Sequence, residues 1–365
     1  MYKISDFLKS LPSVSTKKTY RVAVTRYLEI LSDTKIPLEQ LDSAWETYLA
    51  NADNPGEDLV RFAHNAKHVH NLSPKTIRLY GQIAVMYLKE AEISIPKKAV
   101  RTLRVQTPAN RPISRESELD KDLLKTLISY ADLRMKTEIL IAVSSGMRIG
   151  EILGFSIQDI SLNAVPVEIH LRSDITKNKT ARTVFISREA AWELKLWLAH
   201  RETLISEGKI KLNDTRCFPY ARSTEIAKFK RLLKDAALLE TDEQTHRTTI
   251  HFHLFRKYFL TEFKLAASAE VAEELAGHTG YLSESYRRLT KKTMQEEYLK
   301  AEKYLTIKEP SAKSPDRKEQ NINTPPLTLK QSGVILQIQQ QLTELKSEIQ
   351  ALNSVLSQTL CDTKN

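Results

Sequence analysis

Residues 165 to 187 change the period of the apolar positions, and that change constrains the fold more than any other stretch. The runs VEIHLRS and RTVFIS are short and β-branched, and they flank the polar segment from Asp174 to Ala181, DITKNKTA. Two such runs about a polar turn predict a β-hairpin. Elsewhere the apolar residues recur at helical spacing. The chain is therefore expected to be mainly α with a small β-hairpin or sheet, an α+β fold.

Before the hairpin, residues 1 to about 107 read as an all-helical domain. Ser15 is the expected N-cap of a helix whose apolar face is Tyr20, Val24, Tyr27, Leu28 and Leu31. A second helix starts at Ser73-Pro74 and carries Ile77, Tyr80, Ala84, Tyr87 and Leu88. Each opens on a Ser followed by cations, Lys17, Lys18 and Arg21 in one and Lys75 and Arg78 in the other. Backbone N–H groups at a helix start already favour phosphate, so these five side chains are expected to contact a nucleic-acid backbone. The proline-containing stretch 105 to 112, VQTPANRP, is the expected interdomain linker. Leu123 to Val143 reads as a helix broken at Ser144-Ser145-Gly146, Met147 to Phe155 as the next, and Glu189 to about Lys303 as helical again.

Residues 308 to 326, KEPSAKSPDRKEQNINTPP, have the composition of a disordered linker. Ile335, Ile338, Leu342, Leu345, Ile349, Leu352 and Leu356 then alternate spacings of three and four. That is a coiled-coil seam, expected to bring copies of the chain together; a single amphipathic helix docked on the body is the alternative.

Net charge supports an anionic partner. Lys and Arg number 55 against 45 Asp and Glu, a formal charge of +10. Cys217 and Cys361, the two cysteines, are far apart and outside any metal-type spacing, which excludes a disulfide framework and a thiolate zinc site. His64, His68 and His70 lack a third ligand at fixed spacing, and no metal is expected there. Neither a signal-peptide core nor an apolar run near the ~20 residues of a membrane span is present, so no membrane contact and a cytoplasmic, DNA-associated location are expected.

Four features follow in order: the turn SGMRIGEIL at 145 to 153, the hairpin with Lys177, the box His253-Leu-Phe-Arg256, and Gly277-His278 followed by Tyr286. Together they resemble the tyrosine recombinase (phage integrase) family, of the Xer and integrase type, whose catalytic domain is shared with type IB topoisomerases. The resemblance covers about residues 10 to 305. It implies a helical, SAM-like core-binding domain at 1 to 107, a catalytic domain at 108 to 305, a disordered linker at 306 to 327 and a coiled-coil helix at 328 to 360. On this pattern Arg148 and Arg256 are the two catalytic arginines, and His253 and His278 the histidines. The hairpin lysine is Lys177, with Lys179 as alternate, and the nucleophile is Tyr286, with Tyr281 as rival. Thr290 to Lys303 resembles the helix that relatives often dock onto a neighbouring protomer.

The residue types fit such chemistry. A protein nucleophile conserves the phosphodiester's energy so that the bond can be remade. A phenol of pKa ~10 costs about 4 kcal/mol to ionise at pH 7, and cations lower that cost. Two arginines can fork onto the non-bridging oxygens, doing what a divalent metal does in other nucleases, so neither metal nor cofactor is expected. Lys177 can protonate the leaving 5′-oxygen, His253 serve as base or orienter, and His278 donate to the phosphate. Glu151, one turn after Arg148, is expected to fix that arginine rather than touch the phosphate. Lys179 and Arg182, on the hairpin, are expected at the DNA backbone. The function implied is site-specific recombination or integration, with strands exchanged through a 3′-phosphotyrosyl intermediate and a four-way junction. The partner would be double-stranded DNA with a specific site, bound by a tetramer. A catalytically inactive architectural relative, or a relaxing topoisomerase, is the alternative.

Overall fold

The computed structural model describes residues 3–107, 116–243, 245, 247–278 and 289–308. The chain divides into two compact units, Met1–Leu119 with Ile226–Leu254, and Asp120–Glu225 with the described residues from Phe255 onward. No helix among the described residues is long and apolar enough to cross a membrane.

The N-terminal stretch of the first unit holds six α-helices among its described residues: α1 (Ile4–Ser10), α2 (Val14–Ser32), α3 (Leu41–Asn51), α4 (Pro55–His68), α5 (Pro74–Glu90) and α6 (Lys97–Gln106). Its core holds Tyr27, Trp45, Phe62 and Tyr87, with Tyr27 stacked on Trp45 at 5.9 Å and Trp45 edge-on to Tyr87 at 4.7 Å. Ser73 caps α5 and Pro74 follows it, as expected. The cap of α2 is Ser13 rather than Ser15: the Ser13 hydroxyl accepts the Thr16 N–H at 3.1 Å, so the helix starts one residue before Ser15. The described part of the stretch expected as linker is Val105 to Thr107. Val105 and Gln106 are still helical, and the Arg78 guanidinium reaches the end of α6, donating to Thr107 Oγ1 at 3.2 Å and to the Arg104 carbonyl at 3.1 Å.

The second unit starts with α7 (Lys121–Tyr130) and α8 (Leu133–Ser145), where the apolar pattern had suggested one helix. Asp132 divides them: its carboxylate accepts the Met135 N–H at 3.0 Å and so starts a new helix. The four-residue α9 (Ile149–Ile152) is followed by β1 (Ile160–Ser161), β2 (Val167–Leu171) and β3 (Arg182–Ile186), an antiparallel sheet in the order β1-β2-β3. Leu171 pairs with Arg182, so the expected hairpin is present and residues 172 to 181 form its turn. The two-residue β1 is too short to leave an alternation in the sequence.

Five further helices follow among the described residues: α10 (Arg188–Ser206), α11 (Arg222–Asp235), α12 (Phe252–Ala266), α13 (Ala269–Ala276) and α14 (Lys291–Leu305). Phe185, Phe259, Phe263 and Tyr298 form a core between β3, α12 and α14. The helix compared with a trans-docking element, α14, packs on its own chain: Tyr298 is buried and donates to the Ser144 carbonyl at 2.8 Å. Thr306 to Lys308, expected to open the disordered linker, continue the folded body. The N–H groups of Ile307 and Lys308 donate to Glu189 at 2.7 and 3.0 Å, and Ile307 is buried. The remainder of that linker, the coiled-coil seam, and Tyr281 and Tyr286 lie outside the described residues.

Candidate active site

The site is assembled around a turn. Gly146 ends α8 at φ 66°, a left-handed conformation that a side chain disfavours, and a Cβ there would collide with the Phe259 ring. The chain thus reverses into Met147 and sets Arg148 as N-cap of α9. Glu151, buried one turn later, holds Arg148 in two ways. Its Oε2 accepts the Arg148 backbone N–H at 2.9 Å, and its Oε1 accepts the guanidinium Nη1 at 3.0 Å. The Arg148 side chain is left 26% exposed.

A third group binds the same carboxylate. Arg182, at the start of β3, forks onto Glu151 with Nη1 at 3.2 Å and Nη2 at 2.8 Å. Its Nε donates to the Leu275 carbonyl at 2.9 Å, and its side chain is only 8% exposed. The expectation that Arg182 faces the DNA backbone is therefore corrected: three of its donors are engaged inside the fold. A sequence signal was available, since residues 182, 184 and 186 share one face of a strand and Val184 and Ile186 are apolar.

Arg256, on α12, is 1% exposed and donates Nη1–H to the Gly146 carbonyl at 2.7 Å. Its Nε and Nη2 are buried without a hydrogen-bond partner among the described residues. Buried guanidinium nitrogens are costly to leave unmatched, so this pair invites an anion. Burial first, then the charges of Arg148 and Arg182, hold the Arg256 pKa down to about 10. Burial raises the Glu151 pKa, but the Arg182 hydrogen bonds and the two guanidinium charges overcome that, and its carboxyl titrates below its ordinary range. Three guanidinium charges against one carboxylate leave two positive charges, suited to an oxyanion whose charge grows during reaction.

His278 follows α13 and is 41% exposed. Its Nδ1 pairs with Glu273, whose carbonyl also accepts the His278 N–H at 3.0 Å. Glu273 was not singled out in the sequence; it also bonds Lys264, and its carboxyl is held below the usual range, burial opposing, by Lys264 and His278. Lys177 is exposed in the hairpin turn, and its neighbour Asn178 donates to the Gly277 carbonyl at 3.3 Å. Lys179 adopts φ 57° and its ammonium donates to the Asp174 carbonyl at 3.2 Å. His253 is exposed on α12, three residues before Arg256. In the first unit Lys18, Arg21 and Lys75 are exposed and Lys17 half-buried, whereas Arg78 is turned to α6. Among the described residues, then, Arg148, Glu151, Arg182 and Arg256 are brought together.

Comparison with known proteins agrees with this organisation. The phage integrase family profile matches residues 117–296. Over 148 residues the chain is 28% identical to the tyrosine recombinase XerC of Thermodesulfovibrio yellowstonii, covering 40% of this chain and 46% of that one. The chain thus spans about half the length of that curated relative. The fold is similar to that of the Tn1549 transposon integrase in complex with transposon right end DNA, with a TM-score of 0.53 at 15% identity, covering 81% of this chain and 98% of that one. By its residues 117–296 the chain belongs to the phage integrase family, the tyrosine recombinases.

Proposed function

We propose that this chain is a site-specific DNA recombinase or integrase that cuts and rejoins strands through Tyr286. In this reading the Tyr286 oxygen attacks the scissile phosphorus and forms a 3′-phosphotyrosyl bond as the phosphorus–5′-oxygen bond breaks. Lys177 protonates the leaving oxygen, while His253 receives or steers the phenolic proton. Arg148, Arg256 and His278 bind the non-bridging oxygens and stabilise the pentavalent state, so that no cofactor takes part. The free 5′-hydroxyl of a partner strand then reverses the step, and strands pass through a four-way junction. Residues 1–107 and 108–305 would act as DNA-binding and catalytic domains, with Lys17, Lys18, Arg21, Lys75 and Lys179 along the backbone. The 335–356 seam would gather copies into the tetramer on DNA.

The observation that carries this reading is the pair of buried Arg256 nitrogens, unmatched among the described residues, beside the charges of Arg148 and Arg182. The test is a pool of nicked duplexes of random sequence, incubated with the full chain and then denatured. Wild type retains DNA covalently and Tyr286→Phe does not. Arg148→Ala loses adduct and still binds duplex. Adduct formation by Tyr286→Phe at the wild-type level contradicts the proposal.

A further inference from the structure

We infer that Arg182 is a positioning residue, a bracket that sets three separate stretches of the site in register. The inference rests on the cleavage reading above. One guanidinium joins them. Its fork onto Glu151 reaches the group that holds Arg148 by both backbone and side chain. Its Nε on the Leu275 carbonyl reaches the end of α13, two residues before the Gly277-His278 turn. Its own backbone opens β3, so the hairpin turn carrying Lys177 ends at the same residue.

Two neighbouring details make the bracket tight. Gly277 sits at φ 64°, and a Cβ on it would lie 2.9 Å from both Cζ and Nη1 of Arg182, so the turn before His278 packs directly on the guanidinium. Asn178, within the hairpin turn, donates to the Gly277 carbonyl at 3.3 Å, a second tie between the same two stretches. The planar fork is essential to this geometry. A lysine supplies the charge at one point and cannot serve Glu151 twice and Leu275 once from fixed directions.

Arg182 therefore affects strand cleavage without touching DNA. This separates it from the backbone-contact role that its place on a basic hairpin suggests. A phosphate contact adds to affinity and to its salt dependence, about one unit of slope per contact. A bracket changes neither. It changes how well Arg148, Lys177 and His278 are aligned, and a displacement near 1 Å costs about 100-fold in rate.

The experiment uses the full chain with Arg182→Lys, Arg182→Met and Gly277→Ala. Duplex affinity is measured against salt, and single-turnover adduct formation on the nicked duplexes that wild type selects. The expected result is unchanged affinity and salt slope, with cleavage slowed about 100-fold in all three. Lysine does not rescue. The double variant Glu151→Gln with Arg182→Met is no slower than the worse single one, because both break the same guanidinium–carboxylate fork. A fall in affinity with a salt slope lower by about one, full activity in Arg182→Lys, or multiplying losses in the double variant would overturn the inference. If wild type itself forms no adduct, the cleavage reading fails instead. The bracket is then decided by ¹⁵N-histidine spectra: the His278 ring signals move in Arg182→Met if it exists, and unmoved signals reject it.

Discussion

Arg256 donates to the carbonyl of Gly146 at 2.7 Å, joining residues that lie 110 apart in sequence. The carbonyl belongs to the turn that aims Arg148, so the buried guanidinium and the half-exposed one are positioned by a single peptide group. Packing reinforces it, since Phe259, one turn after Arg256 on α12, closes over the Cα of Gly146. The two arginine motifs thus form one unit.

Gly146→Ala is accordingly expected to damage stability and activity together. The new methyl meets Phe259, and φ 66° is unfavourable for alanine. Urea unfolding should show a loss of about 2 kcal/mol or more. Wild-type stability in this variant would contradict the packing described.

Arg256→Met should separate stability from activity. The guanidinium is held at a lowered pKa of about 10 by burial and like charges, so removing it relieves a native-state penalty. Calorimetry is expected to give a melting temperature at or above that of wild type, with cleavage abolished. Sulfate should raise the melting temperature of wild type and leave that of Arg256→Met nearly unchanged, because the nitrogens unmatched among the described residues, which donate to the anion, are gone.

Glu151→Gln removes the charge between Arg148 and Arg182, and breaking such a buried pair is expected to cost about 3 kcal/mol at pH 7. The pH dependence has a definite sign. The Glu151 carboxyl is lower in the folded chain than in the unfolded one, so its stabilisation is full above the ordinary carboxylate range. It is lost as pH falls through the lowered folded value. Unfolding free energies of wild type and Glu151→Gln should converge toward acid pH; a constant gap would contradict the assignment.

What the sequence disclosed, and what it hid, follows from the range of the interactions. The β2–β3 hairpin, the Ser73 cap and the break at Gly146 are local, and their residues name them. Asp132 was overlooked because the apolar stripe runs through it, although a cap needs one side chain only. Arg182 was misread for a different reason. Its partners, Glu151 and Leu275, are 31 and 93 residues away, and nothing in local spacing announces an ion pair of that span. The same holds for α14, whose Tyr298 finds Ser144 at a separation of 154. The family resemblance pointed to Arg148 and Arg256, and helical spacing to Glu151; only the fold supplied the arginine that joins them to the hairpin.

In the proposed reaction the phenol oxygen of Tyr286 bonds to DNA phosphorus. Wild-type adduct trapped on nicked duplex, digested with nuclease and protease, can be read by mass spectrometry for the residue that carries the nucleotide remnant. The remnant is expected on Tyr286, in the peptide that follows His278. A remnant on Tyr281 or on any other side chain would contradict it.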